Sequence, residues 1–424
     1  MKKVIIPLLL VSTMLVSSNN NIDETIYNHY KNYVRSIDVN NTSKIKNVIV
    51  FIGDGMGPNH IEASEIFAGR EFVFSDEEND MWTYHAYSNT DSLTSVGFTL
   101  DETKSLLKPS ENKSLYDDMP SPYGSGANLS SGNITGYTDS AAGGTAISTG
   151  VKVTNSRIGK DIYGNDLTNL VEIASSLGKK TGVLTSDNLA GATPASFLAH
   201  TYERHYYDEI IVSTSKSNAD LIIAQTLSNW EDNKASYESM YKNAGFDNIC
   251  YDVNSLNINS NREICLLPAI LPDGYRTPSL SELTAYSLDY LDNDNGFFLM
   301  VEGSNIDKQS HSNQPLAMIK ELLGFEEAVK TAQDWATGRK DTLIIVTADH
   351  ETGALTFDEN NSNSENIIDN MKFLSYNHSR TRVTIDVFGD ISEFTNKYAE
   401  MFSTLEGRPY WDNTDIFKLC ASYL

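Results

Sequence analysis

Four short apolar runs, Val48–Ile52, Thr181–Leu184, Phe297–Val301 and Leu343–Val346, constrain the fold of this chain more than any other feature. A strand with one wet face alternates apolar and polar side chains. These runs do not alternate, as expected of strands covered on both faces. Between them, Leu167–Leu177 (stopped by Gly178), Leu283–Leu291 and Leu316–Trp335 carry helical spacing. Strand, helix and strand in succession predict an α/β fold, a three-layer α/β/α sandwich around a large, mostly parallel central sheet. Ligands of such sheets bind beyond the carboxyl ends of the strands, so the residues that close each run are where chemistry is expected.

Three of the runs end in residues that bind metals. Val48–Ile52 is followed by Gly53-Asp54-Gly55-Met56-Gly57-Pro58, where glycines allow a sharp turn but the spacing is not that of a dinucleotide fingerprint. Phe297–Val301 is followed by Glu302 and then by Asp307 and His311, four apart and therefore on one side of a helical turn. Leu343–Val346 is followed by Asp349-His350, which can serve one ion only if the chain turns there; Gly353 makes the turn plausible. Any one of these motifs alone is more often a plain turn or a solvated helix face. Three strand ends carrying Asp, Glu and His together are not expected of a random surface.

A fourth segment, Gly136-Tyr137-Thr138-Asp139-Ser140-Ala141-Ala142-Gly143-Gly144, places Ser140 at the start of a helix of small residues. Its hydroxyl would lie beside backbone N–H groups without helical partners, a setting that suits phosphate; the alternative is an ordinary N-cap. The pattern is not G-x-S-x-G, so a Ser-His-Asp hydrolase triad is not indicated. The net charge of -25 disfavours nucleic acid and anionic membrane surfaces as partners. It would also repel an anionic substrate, so a phosphate site here needs local cations, metals or a placed arginine.

Together the four motifs resemble the alkaline phosphatase family, and the resemblance runs from about Lys46 to the C-terminus. It implies hydrolysis of phosphate monoesters, small phosphorylated molecules, through a phosphoserine formed on the serine of T-D-S-A-A, here Ser140. It implies two Zn2+ ions, one held by Asp307, His311 and His378, the other by Asp54, Asp349 and His350. It implies a third site, usually Mg2+, using Asp54, Glu302 and Thr193. The family's phosphate-clamping arginine follows A-H-x-x-x-R, which matches Ala199-His200-Thr201-Tyr202-Glu203-Arg204, so Arg204 takes that role; its guanidinium forks onto two oxygens as a lysine cannot.

Lys308 matches members whose lysine reaches phosphate through water, but those members usually carry an acidic residue where this chain has Gly191. Without that carboxylate the third site lacks an outer anchor. The chain has no crown-like insertion, so a homodimer is left open. The rival readings are a phosphodiesterase of the same superfamily, which need not keep Arg204, and an exported phosphate- or metal-binding protein without turnover. A sulfatase would need C/S-x-P-x-R, whereas Ser140 is followed by two alanines.

The ends and spacers complete the reading. Met1-Lys2-Lys3 followed by the apolar Val4–Val16 reads as a signal peptide within residues 1–20, which implies export to the periplasm or exterior, with no membrane span once it is removed. Residues 21–45 form an N-terminal segment and 46–424 one catalytic domain, with a Ser-, Asn- and Gly-rich insertion around 74–135 read as long loops. The cysteines Cys250, Cys265 and Cys420 allow at most one disulfide, Cys250 with Cys265 if the backbone permits.

Overall fold

A computed structural model describes residues 44–92, 137–161, 164–272, 278–399, 403–405 and 408–424. The expected signal peptide, nearly all of the N-terminal segment and residues 93–135 of the expected insertion lie outside the described residues. Among the described residues no helix is long and apolar enough to cross a membrane.

The strands, in chain order, are β1 (Asn47–Gly53), β2 (Trp82–Asn89), β3 (Lys180–Asn188), β4 (Leu221–Gln225), β5 (Asn248–Cys250), β6 (Glu263–Leu267), β7 (Phe297–Gly303) and β8 (Thr342–Thr347). Then come the short β9 (Glu351–Thr352), β10 (Leu355–Thr356), β11 (Lys372–Phe373) and β12 (His378–Ser379), followed by β13 (Val383–Phe388), β14 (Ser403–Leu405) and β15 (Arg408–Asp412). Eleven of them form one sheet, in the order β14-β15-β2-β13-β8-β1-β7-β3-β4-β6-β5. The stretch from β8 through β5 is parallel throughout, while β13 runs antiparallel to both of its neighbours.

The four apolar runs are β1, β3, β7 and β8, and the expected sandwich is present. Every residue of β1, β7 and β8 is buried. Along β1, Val48, Val50 and Ile52 join one core with the helices Leu170–Ser176, Ala192–Leu198 and Asn413–Tyr423. Ile49 and Phe51 join the other core with the helices Leu280–Leu291 and Pro315–Ala336. Alternate side chains thus enter two cores, and each fully buried Val, Ile or Phe contributes about 1.5–3 kcal/mol, so the run Val48–Ile52 is apolar on both faces.

β2 is a correction. Residues 82–89 were expected to belong to a loop-rich insertion, yet they form a strand of the main sheet between β13 and β15. Trp82, Ala86 and Ser88 are buried while Thr83 is exposed. With half of its positions polar and a serine facing inward, this segment has no apolar run to betray it. Cys250 and Cys265 sit opposite each other on neighbouring parallel strands as buried free thiols.

Candidate active site

Strand register brings the site together. Ile52 pairs with both Glu302 and Thr347, and Glu302 also pairs with Thr185, so β1, β7, β8 and β3 end level with one another. Asp54, Glu302 and Asp349 therefore emerge side by side. Because β13 runs antiparallel to β8, its leading segment starts at that same edge, which delivers His378.

The turn after β1 needs Gly55. Its φ is 71°, and a Cβ there would lie 2.8 Å from Thr352 Oγ1 and 3.0 Å from the Cα of Asp307. Its N–H donates to Asp349 Oδ1 at 3.2 Å, tying the first strand end to the third. The expected turn after β8 is also present: His350 N–H donates to Asp349 Oδ1 at 3.1 Å, and Gly353 follows with φ 94°.

Ser140 is the first residue of the helix Ser140–Thr149, capped by Asp139, whose Oδ1 accepts from Ala142 N–H at 3.0 Å. The small side chains of this helix have a purpose. A Cβ on Gly143 would lie 2.7 Å from the carbonyl oxygen of Asp349, so glycine lets the helix lie directly on that loop. Ser140 Oγ comes within 3.2 Å of His350 Nε2. Asp139 Oδ2 accepts from Arg204 Nη1 at 3.1 Å and from Ser156 N–H at 3.0 Å, so the residue before the serine also aims the arginine.

Two carboxylate–imidazole clusters flank the serine. Asp54, Asp349 and His350 form one, with His350 Nε2 3.5 Å from Asp54 Oδ1 and 3.3 Å from Asp349 Oδ2. In the other, His311 and His378 approach Asp307 Oδ1 at 3.3 and 3.6 Å, and their Nε2 atoms face each other at 3.1 Å. Asp307, His350 and His378 also lie within reach of a single ion, and the His350 and His378 rings stack 3.5 Å apart, so His350 borders both clusters. Residues expected from the sequence to divide cleanly between two ions thus form one continuous set.

The donor chemistry fits cations. His378 Nδ1 lies 2.6 Å from the carbonyl of Thr138 and His311 Nδ1 2.5 Å from that of Tyr376. A carbonyl only accepts, so each Nδ1 carries the hydrogen and each Nε2 presents a lone pair inward, the tautomer of a metal ligand. Asp54 Oδ1, Asp349 Oδ2, Glu302 Oε1 and Thr193 Oγ1 are buried without a hydrogen-bond partner, which native interiors seldom tolerate. Burial raises Asp54 well above the usual carboxylate range, with Asp349, Asp307 and Glu302 adding to it. Burial and then Asp307 raise Asp349 to about 7. Burial and then Asp187 raise Glu302 to about 8. Burial, and then His378 and His311, lower His350. Carboxylates this crowded stay ionised at neutral pH only if cations lie among them.

Lys308 and Thr193 are the remaining expected residues. Lys308 Nζ is 2.7 Å from Asp187 Oδ1 and 3.3 Å from Ser304 Oγ. Thr193 lies in the helix Ala192–Leu198, which follows β3 and is capped by Gly191. Sequence reasoning missed Thr352, which donates to Asp307 Oδ1 at 2.5 Å, and Thr185, which donates to Glu302 Oε2. Only the level strand ends reveal these partners.

Comparison with known proteins gives the family of the chain. A family model described as Alkaline phosphatase matches residues 103–234 and 257–404. Alkaline phosphatase 4 of Bacillus subtilis is 33% identical over 331 residues, covering 75% of this chain and 64% of that protein. Alkaline phosphatase of Escherichia coli is 28% identical over 364 residues, covering 72% of this chain and 70% of that protein. The structure of alkaline phosphatase from the Antarctic bacterium TAB5 superimposes with a TM-score of 0.67 at 25% identity, covering 89% of this chain and 97% of that one. The chain spans 64% and 62% of the lengths of alkaline phosphatases 4 and 3 of Bacillus subtilis. With the family model matching well over half of its length and the same fold shared along 89% of it, the chain belongs to the alkaline phosphatase family.

Proposed function

We propose that this chain hydrolyses phosphate monoesters through a phosphoserine at Ser140. The observation that carries the reading is the serine hydroxyl at a helix N-terminus, 3.2 Å from His350 and flanked by both carboxylate–imidazole clusters. Asp307, His311 and His378 would hold one ion and Asp54, Asp349 and His350 a second, with zinc favoured by mixed imidazole and carboxylate donors. Asp54, Glu302 and Thr193, all oxygen donors, suit magnesium. What such ions supply when bound is Lewis-acid stabilisation of charge on the attacking and leaving oxygens.

The remaining work falls to the chain itself. The Oγ–P bond forms as the ester P–O bond breaks; the alcohol departs with a proton, and Ser140 carries the phosphoryl group. Water then attacks phosphorus, the Oγ–P bond breaks, and inorganic phosphate leaves. Arg204, pinned by Asp139, binds two non-transferred oxygens, and the N–H groups of the first helical turn face the same charge. An arginine held in that way favours a monoester, whose terminal oxygens it can fork, over a diester. Export, inferred from Lys2-Lys3 and the apolar residues after them, belongs to the same reading.

The test is zinc-supplemented hydrolysis of a chromogenic phosphomonoester by the wild type and Ser140→Ala, with a phosphodiester alongside and bound metal measured on the same samples. Monoester turnover that collapses in Ser140→Ala while zinc persists is the expected result. Diester preference would move the chain to the neighbouring enzyme class, and zinc binding without turnover would leave a binding protein.

A further inference from the structure

At the end of β3 a network lies beside the clusters described above. Asp187 is the penultimate residue of β3, and its N–H donates to Thr185 Oγ1 at 2.8 Å. Thr185 in turn donates to Glu302 Oε2. Asp187 Oδ1 accepts from Lys308 Nζ at 2.7 Å, and Lys308 also reaches Ser304 Oγ, which contacts Ser186 Oγ at 3.1 Å. The strand end, the lysine and Glu302 are therefore one connected unit.

The room for that unit comes from Gly191. A Cβ at position 191 would lie 2.5 Å from Asp187 Oδ2, 2.9 Å from its Cγ and 3.0 Å from its Cβ. The first contact could be relieved by rotating the carboxylate, but the last two could not. A side chain at 191 and the Asp187 side chain in this pose therefore exclude each other. A bare Gly191 and a carboxylate four residues earlier are two halves of one arrangement.

We propose that Asp187 is the positioning carboxylate of this site: its side chain holds and neutralises Lys308 beside the phosphate pocket, in the space a side chain at position 191 would fill, while its backbone N–H, through Thr185, ties the same strand end to Glu302 of the third-cation set. The inference rests on the phosphomonoesterase reading only for what Lys308 and the cation are for. Lys308 is 45% exposed and Asp187 19%. An ion pair so open to water adds little to stability, so its value lies in position. Asp187 touches no reacting atom; its carboxylate acts through Lys308.

The experiment titrates Mg2+ alone into zinc-loaded protein by calorimetry, for the wild type, Asp187→Asn, Asp187→Gly, Gly191→Asp, and the double exchange Asp187→Gly with Gly191→Asp. Asp187→Asn keeps the backbone N–H to Thr185 but leaves the Lys308 ammonium without its carboxylate beside the cation set; outer partners of a metal site typically carry a 10–100-fold effect on affinity, so this variant is expected to bind Mg2+ about 10–100-fold more weakly, with zinc content and melting temperature unchanged. The double exchange is expected to bind more tightly than either of its component single variants, because it restores one carboxylate in the space that holds only one. Wild-type Mg2+ affinity in Asp187→Asn, or a double exchange no better than Asp187→Gly, would overturn the assignment, as would a zinc-loaded wild type that takes up no Mg2+. The titration needs no turnover, so failure to hydrolyse phosphomonoesters would sink the functional reading separately.

Discussion

Replacing Gly143 with alanine sets helix propensity against packing. Gly143 lies inside the helix Ser140–Thr149, where alanine is intrinsically favoured by about 1 kcal/mol. The new methyl would lie 2.7 Å from the carbonyl oxygen of Asp349, 3.0 Å from its Cβ and 3.2 Å from its carbonyl carbon. Two of these atoms are backbone and cannot rotate away, so the helix or the Asp349 loop must move, and overpacking of this kind costs about 1–3 kcal/mol. The packing term wins: net destabilisation of up to about 2 kcal/mol is expected, read as a lower urea midpoint at constant m-value on chelated protein. Because the displaced residue is Asp349, zinc retention is expected to weaken by about tenfold. Gly144→Ala is the contrast. There the nearest atom, 2.5 Å away, is Ser196 Oγ, a hydroxyl that can turn aside. Losing its bond to the Thr193 carbonyl costs about 1 kcal/mol, which the helix propensity offsets, so this variant is expected to be nearly neutral. A Gly143→Ala protein that is more stable than wild type and keeps its zinc would refute the close approach of helix and loop.

Chelation should make stability strongly pH-dependent. Asp349 and Glu302 have folded-state values of about 7 and about 8, above those of an unfolded chain. The stability they contribute in the metal-free protein is therefore full below about pH 4 and lost as pH rises through 7 and 8. Melting of chelated protein between pH 5 and 8.5 should show a steady fall that zinc and magnesium abolish; a flat chelated curve would contradict it. Thr352→Val removes the hydroxyl held against Asp307 Oδ1, and equilibrium dialysis should show zinc affinity about 10–100-fold weaker with little change in fold. Arg204→Lys keeps the charge but loses the fork; a charge-assisted hydrogen bond worth about 1.5–3 kcal/mol predicts a 10–100-fold fall in kcat/KM for a monoester, and an unchanged value would remove Arg204 from substrate binding.

Much of this protein is written locally in its sequence. Strands buried on both faces carry continuous apolar runs at their centres, so β1, β3, β7 and β8 announce themselves. The ends of such strands are where Asp54, Glu302 and Asp349 stand, and T-D-S-A-A marks the start of the helix that carries Ser140. What the sequence could not hold is anything decided by which strand lies beside which. β2 is half polar because its neighbours and its burial pattern, rather than an apolar run, make it a strand. His350 borders both clusters because β13 returns antiparallel beside β8 and stacks His378 on it. The fit of Asp187 into the space above Gly191 is a contact between a strand end and a helix cap, and neither residue signals it alone. Residue type and spacing fix the hydrogen-bonding and burial needs of each segment, whereas distances between segments come only from sheet order and register, which are properties of the packed whole.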